Sequence, residues 1–292
     1  MIEYAYPLYR PPGEADNVII QATYGCSYNR CSFCSMYRSK RYTVRPLETL
    51  YKEIDLLSSA YPGARRVFLA DGDALSLPTE HLRALLEHLH GAFAKLGRVS
   101  LYASAQNLLQ KSEPELRQLR EHGLGLIYYG IETGSDLLLE KINKGVSSEQ
   151  IVASLNKATR AGLKISATVI LGIGGEVYSC EHIEATAAVV NATSVNYLST
   201  LQLGLDEACE EDFYRRFEGF VMPDDARLLE EQKRFLELLA PRSPVIFRSN
   251  HASNALHLAG TLPRDSRRLI AEVEAALAAG ERVFVPKWFR GF

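Results

Sequence analysis

The chain has 292 residues, 47% of them apolar and 23% charged, and its 33 basic and 35 acidic side chains give a formal net charge of −2. These proportions describe an ordinary globular chain of one large or two average domains. They exclude a global positive field that would draw the chain to nucleic acid or an anionic membrane, and leave a locally basic face as the alternative.

Residues 1–16, with Pro7, Pro11, Pro12 and Gly13, form an irregular lead-in without the apolar stretch of an export signal. A β-branched segment over 18–23 predicts a buried strand, after which Gly25 turns the chain into a loop carrying Cys26, Cys31 and Cys34. Helical spacing over 46–60, opened by Pro46, precedes a strand at 66–70 and the triplet Asp71-Gly72-Asp73. A helix over 78–94 and a strand over 99–103 follow, then Ser104-Ala105-Gln106-Asn107. Helix 113–122 and strand 124–131 lead to Glu132-Thr133-Gly134-Ser135.

Helices at 136–142 and 148–161, a strand at 164–171 ending in Gly172-Ile173-Gly174-Gly175, a helix near 181–191 and a strand at 195–201 continue the rhythm. Residues 206–223 are acidic without a clear period; a helix over 224–239, a last strand at 245–247 and a closing helix over 264–279 follow. The longest candidate, residues 165–173, is strand-sized and far short of the ~20 apolar residues a membrane helix needs. Six strand–helix alternations with short connections predict an α/β fold with parallel strands and helices outside. We expect a lead-in (1–16), a core (17–205) and a C-terminal α/β elaboration (206–292) within one compact unit.

Three of the five cysteines fall within nine positions, which is no disulfide framework. Three thiols on one loop suit a thiophilic centre. Zinc would need a fourth protein ligand, and the remaining Cys180 and Cys209 stand alone. Buried structural thiols are a second reading, disfavoured by Arg30, Arg38, Lys40 and Arg41 nearby. A four-iron cluster held at three corners is the third, its open iron available to a small molecule. A reducing, cytoplasmic setting is expected.

The strand, the cysteine triplet and the aromatic Phe33 before the last cysteine resemble the radical S-adenosylmethionine (radical SAM) superfamily. Within it they resemble the core shared by methylthiotransferase-like and oxygen-independent coproporphyrinogen oxidase-like members. The spacing here is Cys-x4-Cys-x2-Cys, one residue longer than the family's usual loop. The resemblance implies a partial (β/α)6 TIM-like barrel, a [4Fe–4S] cluster on Cys26, Cys31 and Cys34, and S-adenosylmethionine (SAM) as the second cofactor. Asp71, Gly72 and Asp73 resemble the element that receives the amino group of SAM. Ser104 and Gln106 stand at the next strand end, Glu132 corresponds to the ribose carboxylate, and Ile170 and Gly172 match the adenine segment.

The implied activity is reductive cleavage of SAM and hydrogen abstraction from a small-molecule substrate, driven by a low-potential donor such as flavodoxin or ferredoxin. Arg38, Asn250, His251 and Asn254 are candidate substrate contacts, and Cys209 is a candidate pocket residue. An RNA-modifying enzyme and a non-catalytic iron–sulfur redox or sensor protein are the alternatives.

Overall fold

The alternation of strands and helices expected from the sequence is the architecture of the chain. The computed structural model describes residues 2–291, so Met1 of the lead-in and Phe292 of the C-terminal region lie outside the described residues. The chain gathers into two units: Met1–Asn29, Cys34–Tyr129 and Asn156–Ile165 in the first, Arg30–Phe33, Gly130–Leu155 and Ser166–Phe292 in the second.

In the first unit the expected strand at 18–23 is split. β1 (Val18–Gln21) stops at Ala22, and the two-residue β2 (Thr23–Tyr24) pairs antiparallel with β3 (Thr43–Val44), closing the neck of the cysteine loop. Then come α1 (Leu47–Ala60), β4 (Arg66–Ala70), α2 (Thr79–Ala92), β5 (Arg98–Tyr102), α3 (Ala105–Gln110), α4 (Glu113–Glu121) and β6 (Leu124–Glu132). β1 lies beside β4, β4 beside β5 and β5 beside β6, all parallel. The helices form because apolar residues recur on one face: Leu50, Ile54 and Leu57 of α1, and Leu82, Leu85, Leu86 and Leu89 of α2, are buried. Each such side chain contributes roughly 1.5–3 kcal/mol by leaving water. Ser112 and Glu115 form a reciprocal capping box that starts α4.

The rest of the chain adds α5 (Asp136–Lys141), α6 (Ser148–Arg160), β7 (Lys164–Leu171), α7 (Ser179–Asn191), β8 (Tyr197–Gln202), α8 (Glu207–Arg216), α9 (Asp225–Leu238), β9 (Val245–Ser249), β10 (Leu258–Leu262) and α10 (Ser266–Ala279). β7 and β8 are parallel, as are β8 and β9, while β10 joins β9 antiparallel.

Three further elements differ from expectation. The acidic span contains α8, whose apolar side turns on Cys209 and Phe213, with Asp206 accepting from the Ala208 N–H as its cap; the surrounding carboxylates mask that four-residue step. β10 escapes notice because Gly260 sits at its centre, where a side chain would meet Arg268 and Leu269 of α10. The polar stretch after β5 is the short helix α3, capped by Ser104 Oγ accepting from the Asn107 N–H at 3.3 Å. The fold is α/β with mostly parallel strands.

Candidate metal and cofactor site

In the first unit, the residues on either side of Cys26 are held by the two acids that flank Gly72. Asp71 is fully buried. Its Oδ2 accepts from the Gly25 N–H at 3.0 Å and from Lys40 Nζ at 2.9 Å, and its Oδ1 accepts from Gln21 Nε2 at 3.0 Å. Lys40 also donates to the Ala5 carbonyl at 2.6 Å, tying the lead-in to the same ion pair. Asp73 accepts from Ser27 Oγ and Asn107 Nδ2. Burial pushes its pKa up to about 6, against these hydrogen bonds, the charge of Lys111 and the Ser104 backbone, which pull it down. The Gly72 N–H meets the Gly25 carbonyl at 3.2 Å. Gly25-Cys26-Ser27 is thus clasped by Asp71-Gly72-Asp73 through side chains that the sequence assigned to a ligand.

Cys34 belongs to this unit as well, and Arg38 Nε donates to its carbonyl at 3.1 Å. Cys31 lies in the short Arg30–Phe33 segment of the second unit, where a turn after α5 holds its neighbours. Asn143 Nδ2 donates to the Arg30 carbonyl at 2.9 Å, and the Ser32 N–H donates to the Ile142 carbonyl at 2.9 Å. The Phe33 carbonyl accepts from Cys209 Sγ at 3.4 Å. Cys209 is buried and Cys180 exposed; the three loop thiols are half-buried, and none is in a disulfide.

The same turn supplies Lys144, whose Nζ is 2.7 Å from Glu132 Oε1. Glu132 is buried in the left-handed backbone region, φ +62°. A Cβ on Gly130 would lie 1.8 Å from the Glu132 carboxylate and 3.2 Å from Lys144 Nζ, so a side chain there would push the Glu132–Lys144 pair aside. The following residue, Thr133, hydrogen-bonds His182 Nδ1 at 2.9 Å. His182 Nε2 is 3.6 Å from Glu231 Oε1. Glu231 in turn accepts from the Gly172 N–H at 2.7 Å and from Ser179 Oγ at 2.6 Å. A buried pair therefore ties the Thr133 hydroxyl after β6 and the Gly172 N–H after β7. Ile170 is buried near the end of β7, and Gly172, φ +80°, has no room for a Cβ beside Leu228.

Burial drives both members of that pair toward neutrality, Glu231 up to about 7 and His182 down to about 4. The 3.6 Å contact is accordingly not a full ion pair at neutral pH. Glu231 stabilises the fold below the ordinary glutamate pKa of 4.5, and that contribution is lost as pH rises through about 7. His182 acts oppositely, its contribution present above 6.5 and lost as pH falls through about 4. His182 is common to wild type and Glu231→Gln, so comparing the two isolates the glutamate. Wild-type protein is therefore expected to lose melting temperature between about pH 6.5 and 8 relative to Glu231→Gln, as followed by circular dichroism. Parallel curves for the two proteins would contradict the assignment.

The remaining candidates fall into three environments. Ser104 caps α3, and Gln106 is half-buried in its first turn. Asn254 is buried, its Oδ1 accepting from the Gln202 N–H at 2.9 Å and its Nδ2 donating to the Thr200 carbonyl at 2.8 Å and Ser249 Oγ at 2.9 Å. Those bonds hold the end of β8. His251 Nδ1 is 2.9 Å from Ser253 Oγ, burial lowers its pKa, and Asn250 is exposed. Residues that the sequence did not single out are Gln21, Ser27, Tyr37, Asn143, Lys144, His182 and Glu231. Of these, only a glutamine inside a strand and a lysine twelve positions after Glu132 left any trace.

A family model for the radical SAM superfamily matches residues 20–188, more than half the chain. The chain belongs to the radical SAM superfamily. Its members use a [4Fe–4S] cluster and SAM and are enzymes. An uncharacterized methyltransferase of Pyrococcus horikoshii is 27% identical over 192 residues, 63% of this chain and 39% of that protein. Coproporphyrinogen III oxidase from Escherichia coli, a radical SAM enzyme, aligns with TM-score 0.59 at 19% identity, covering 76% of this chain and 51% of its own. Methylornithine synthase aligns with TM-score 0.56 at 16% identity, covering 91% and 85%. These likenesses bear out the radical SAM barrel fold expected from the sequence. The matched region spans between 35% and 47% of the length of the curated relatives.

Two observations in the first unit fit a sulfur-ligated radical SAM centre. Gly72 leaves room at Cys26: a Cβ there would lie 2.4 Å from Tyr37 Cε2 and 3.2 Å from Cys26 Cβ. Tyr37 is 3% exposed, and its hydroxyl is buried without a hydrogen-bond partner among the described residues. Burial, then Tyr102, Asp71, Cys34 and Cys26, raise its pKa, so the phenol keeps its proton. Among the described residues no group of three or more Cys, His, Asp or Glu side chains is arranged around a single metal ion. No helix among the described residues is long and apolar enough to cross a membrane.

Proposed function

We propose that this chain, with its core at 17–205, reductively cleaves SAM and uses the 5′-deoxyadenosyl radical to take hydrogen from a small-molecule substrate. The carrying observation is the loop of three half-buried thiols, none in a disulfide, inside a match to the radical SAM superfamily. Cys26, Cys31 and Cys34 would hold a [4Fe–4S] cluster, which supplies the electron that breaks the sulfonium bond. The chain's own residues bind and orient. With both Asp71 oxygens and both Asp73 oxygens taken by scaffold donors, the backbone around Gly72 is what offers carbonyls to the SAM ammonium group. Glu132, paired with Lys144 at 2.7 Å, suits the vicinal hydroxyls of a ribose. Ile170 and Gly172 would pack the adenine, and a flavodoxin- or ferredoxin-like protein would deliver the electron in a reducing cytoplasm.

A second reading, methyl transfer, is favoured by the name of the Pyrococcus relative. One assay separates the two. Anaerobically reconstituted protein given dithionite and SAM should release 5′-deoxyadenosine, whereas methyl transfer alone releases S-adenosylhomocysteine. An intact cluster that yields no 5′-deoxyadenosine overturns the proposal.

A further inference from the structure

We propose that the Tyr37 hydroxyl donates a hydrogen bond to the sulfur-ligated centre at Cys26 and Cys34, and that this bond raises the centre's reduction potential. The inference rests on the cluster held by the three cysteines and adds a residue to it. Buried hydroxyls in folded chains are almost always paired, and leaving one unpaired costs roughly as much as a lost hydrogen bond. Here the ring is fixed from several sides. Gly72 faces it with no Cβ, Tyr9 meets it edge-to-face at 5.6 Å, and Lys40 Nζ is 5.6 Å from its centroid. Its own carbonyl accepts from Asn29 Nδ2 at 2.9 Å, inside the cysteine loop.

A side chain held this firmly, with its hydroxyl unpaired among the described residues, suits an acceptor that those residues do not supply. The acceptor that the neighbourhood calls for is a thiolate or sulfide sulfur, because Gly72 brings the Tyr37 ring and Cys26 Cβ against the same spot. Hydrogen bonds to cluster sulfurs favour the more negative, reduced state and so raise the potential.

The test compares wild type, Tyr37→Phe and Tyr9→Phe, each reconstituted anaerobically with iron and sulfide. Dye-mediated redox titration followed by electron paramagnetic resonance reads the midpoint. Tyr37→Phe should bind as much iron as wild type yet be harder to reduce by on the order of tenfold, about 59 mV for one electron. Tyr9→Phe, which keeps the ring contact, should leave the midpoint alone. Without iron, Tyr37→Phe should melt no lower than wild type, since the lost hydroxyl had no partner. An unchanged midpoint at equal iron content, or a lower melting temperature of the iron-free variant, overturns the assignment of Tyr37 alone. Wild-type protein that takes up no iron overturns the cluster reading together with it.

Discussion

Alanine at Cys26, Cys31 or Cys34 is expected to strip the reconstituted protein of nearly all its iron, against about four atoms per wild-type chain for a [4Fe–4S] centre. The structure makes this a clean experiment. Each thiol projects from backbone that its neighbours already hold: Gly25 and Ser27 by Asp71 and Asp73, Arg30 and Ser32 by the turn after α5, and the Cys34 carbonyl by Arg38. Removing one sulfur breaks none of those contacts. The iron-free variants should therefore still unfold cooperatively as folded proteins. Iron and sulfide analysis with a parallel melt checks both halves. Cys180→Ala, at an exposed thiol, is the control and should retain full iron. Retention of iron in any of the three loop variants would remove that cysteine from the ligand set.

Asp71→Ala is expected to cost about 3–5 kcal/mol of stability, the usual result of removing one partner from a buried ion pair. The magnitude comes from what stays behind. The Lys40 side chain is only 8% exposed, and without Asp71 its ammonium keeps the Ala5 carbonyl and no counter-charge. The Gly25 and Gln21 donors lose their acceptor too. Desolvation of an unmatched charge outweighs the lost attraction, so Asp71→Ala with Lys40→Met should recover much of the deficit while Asp71→Ala alone does not. Chemical denaturation of the three proteins measures the difference. A single-variant loss below about 1 kcal/mol would mean the pair is solvated and the clasp around Cys26 is held by other bonds.

The two experiments touch different levels of the molecule, and so did the sequence. Periodicity was enough for the parallel strands and their covering helices, because each buries a stripe whose spacing is written in the chain: Leu50, Ile54 and Leu57 of α1, or the run ending at Leu171 in β7. It failed at α8, where Cys209 and Phe213 mark the buried side among carboxylates, and at β10, where a central glycine hides a strand. The cysteine loop was legible because thiol spacing is local chemistry. Asp71 and Asp73 were legible as important but not in role. Which donor a carboxylate meets depends on groups up to 50 positions away, such as Gln21 and Ser27.

Composition, thiol spacing and strand–helix rhythm thus determined, with no coordinates, the α/β class and a thiolate loop, since each depends on neighbours along the chain, and the family resemblance carried by that loop implied the superfamily and its [4Fe–4S] cluster. Tertiary structure alone decided that Asp71 and Asp73 clasp the Cys26 backbone, that Lys144 meets Glu132, that Glu231 holds the turn at Gly172, and that Tyr37 is buried with its hydroxyl unpaired. Those facts arise where distant segments exclude water together, and only there does a charge or a hydroxyl have to find its partner or go without.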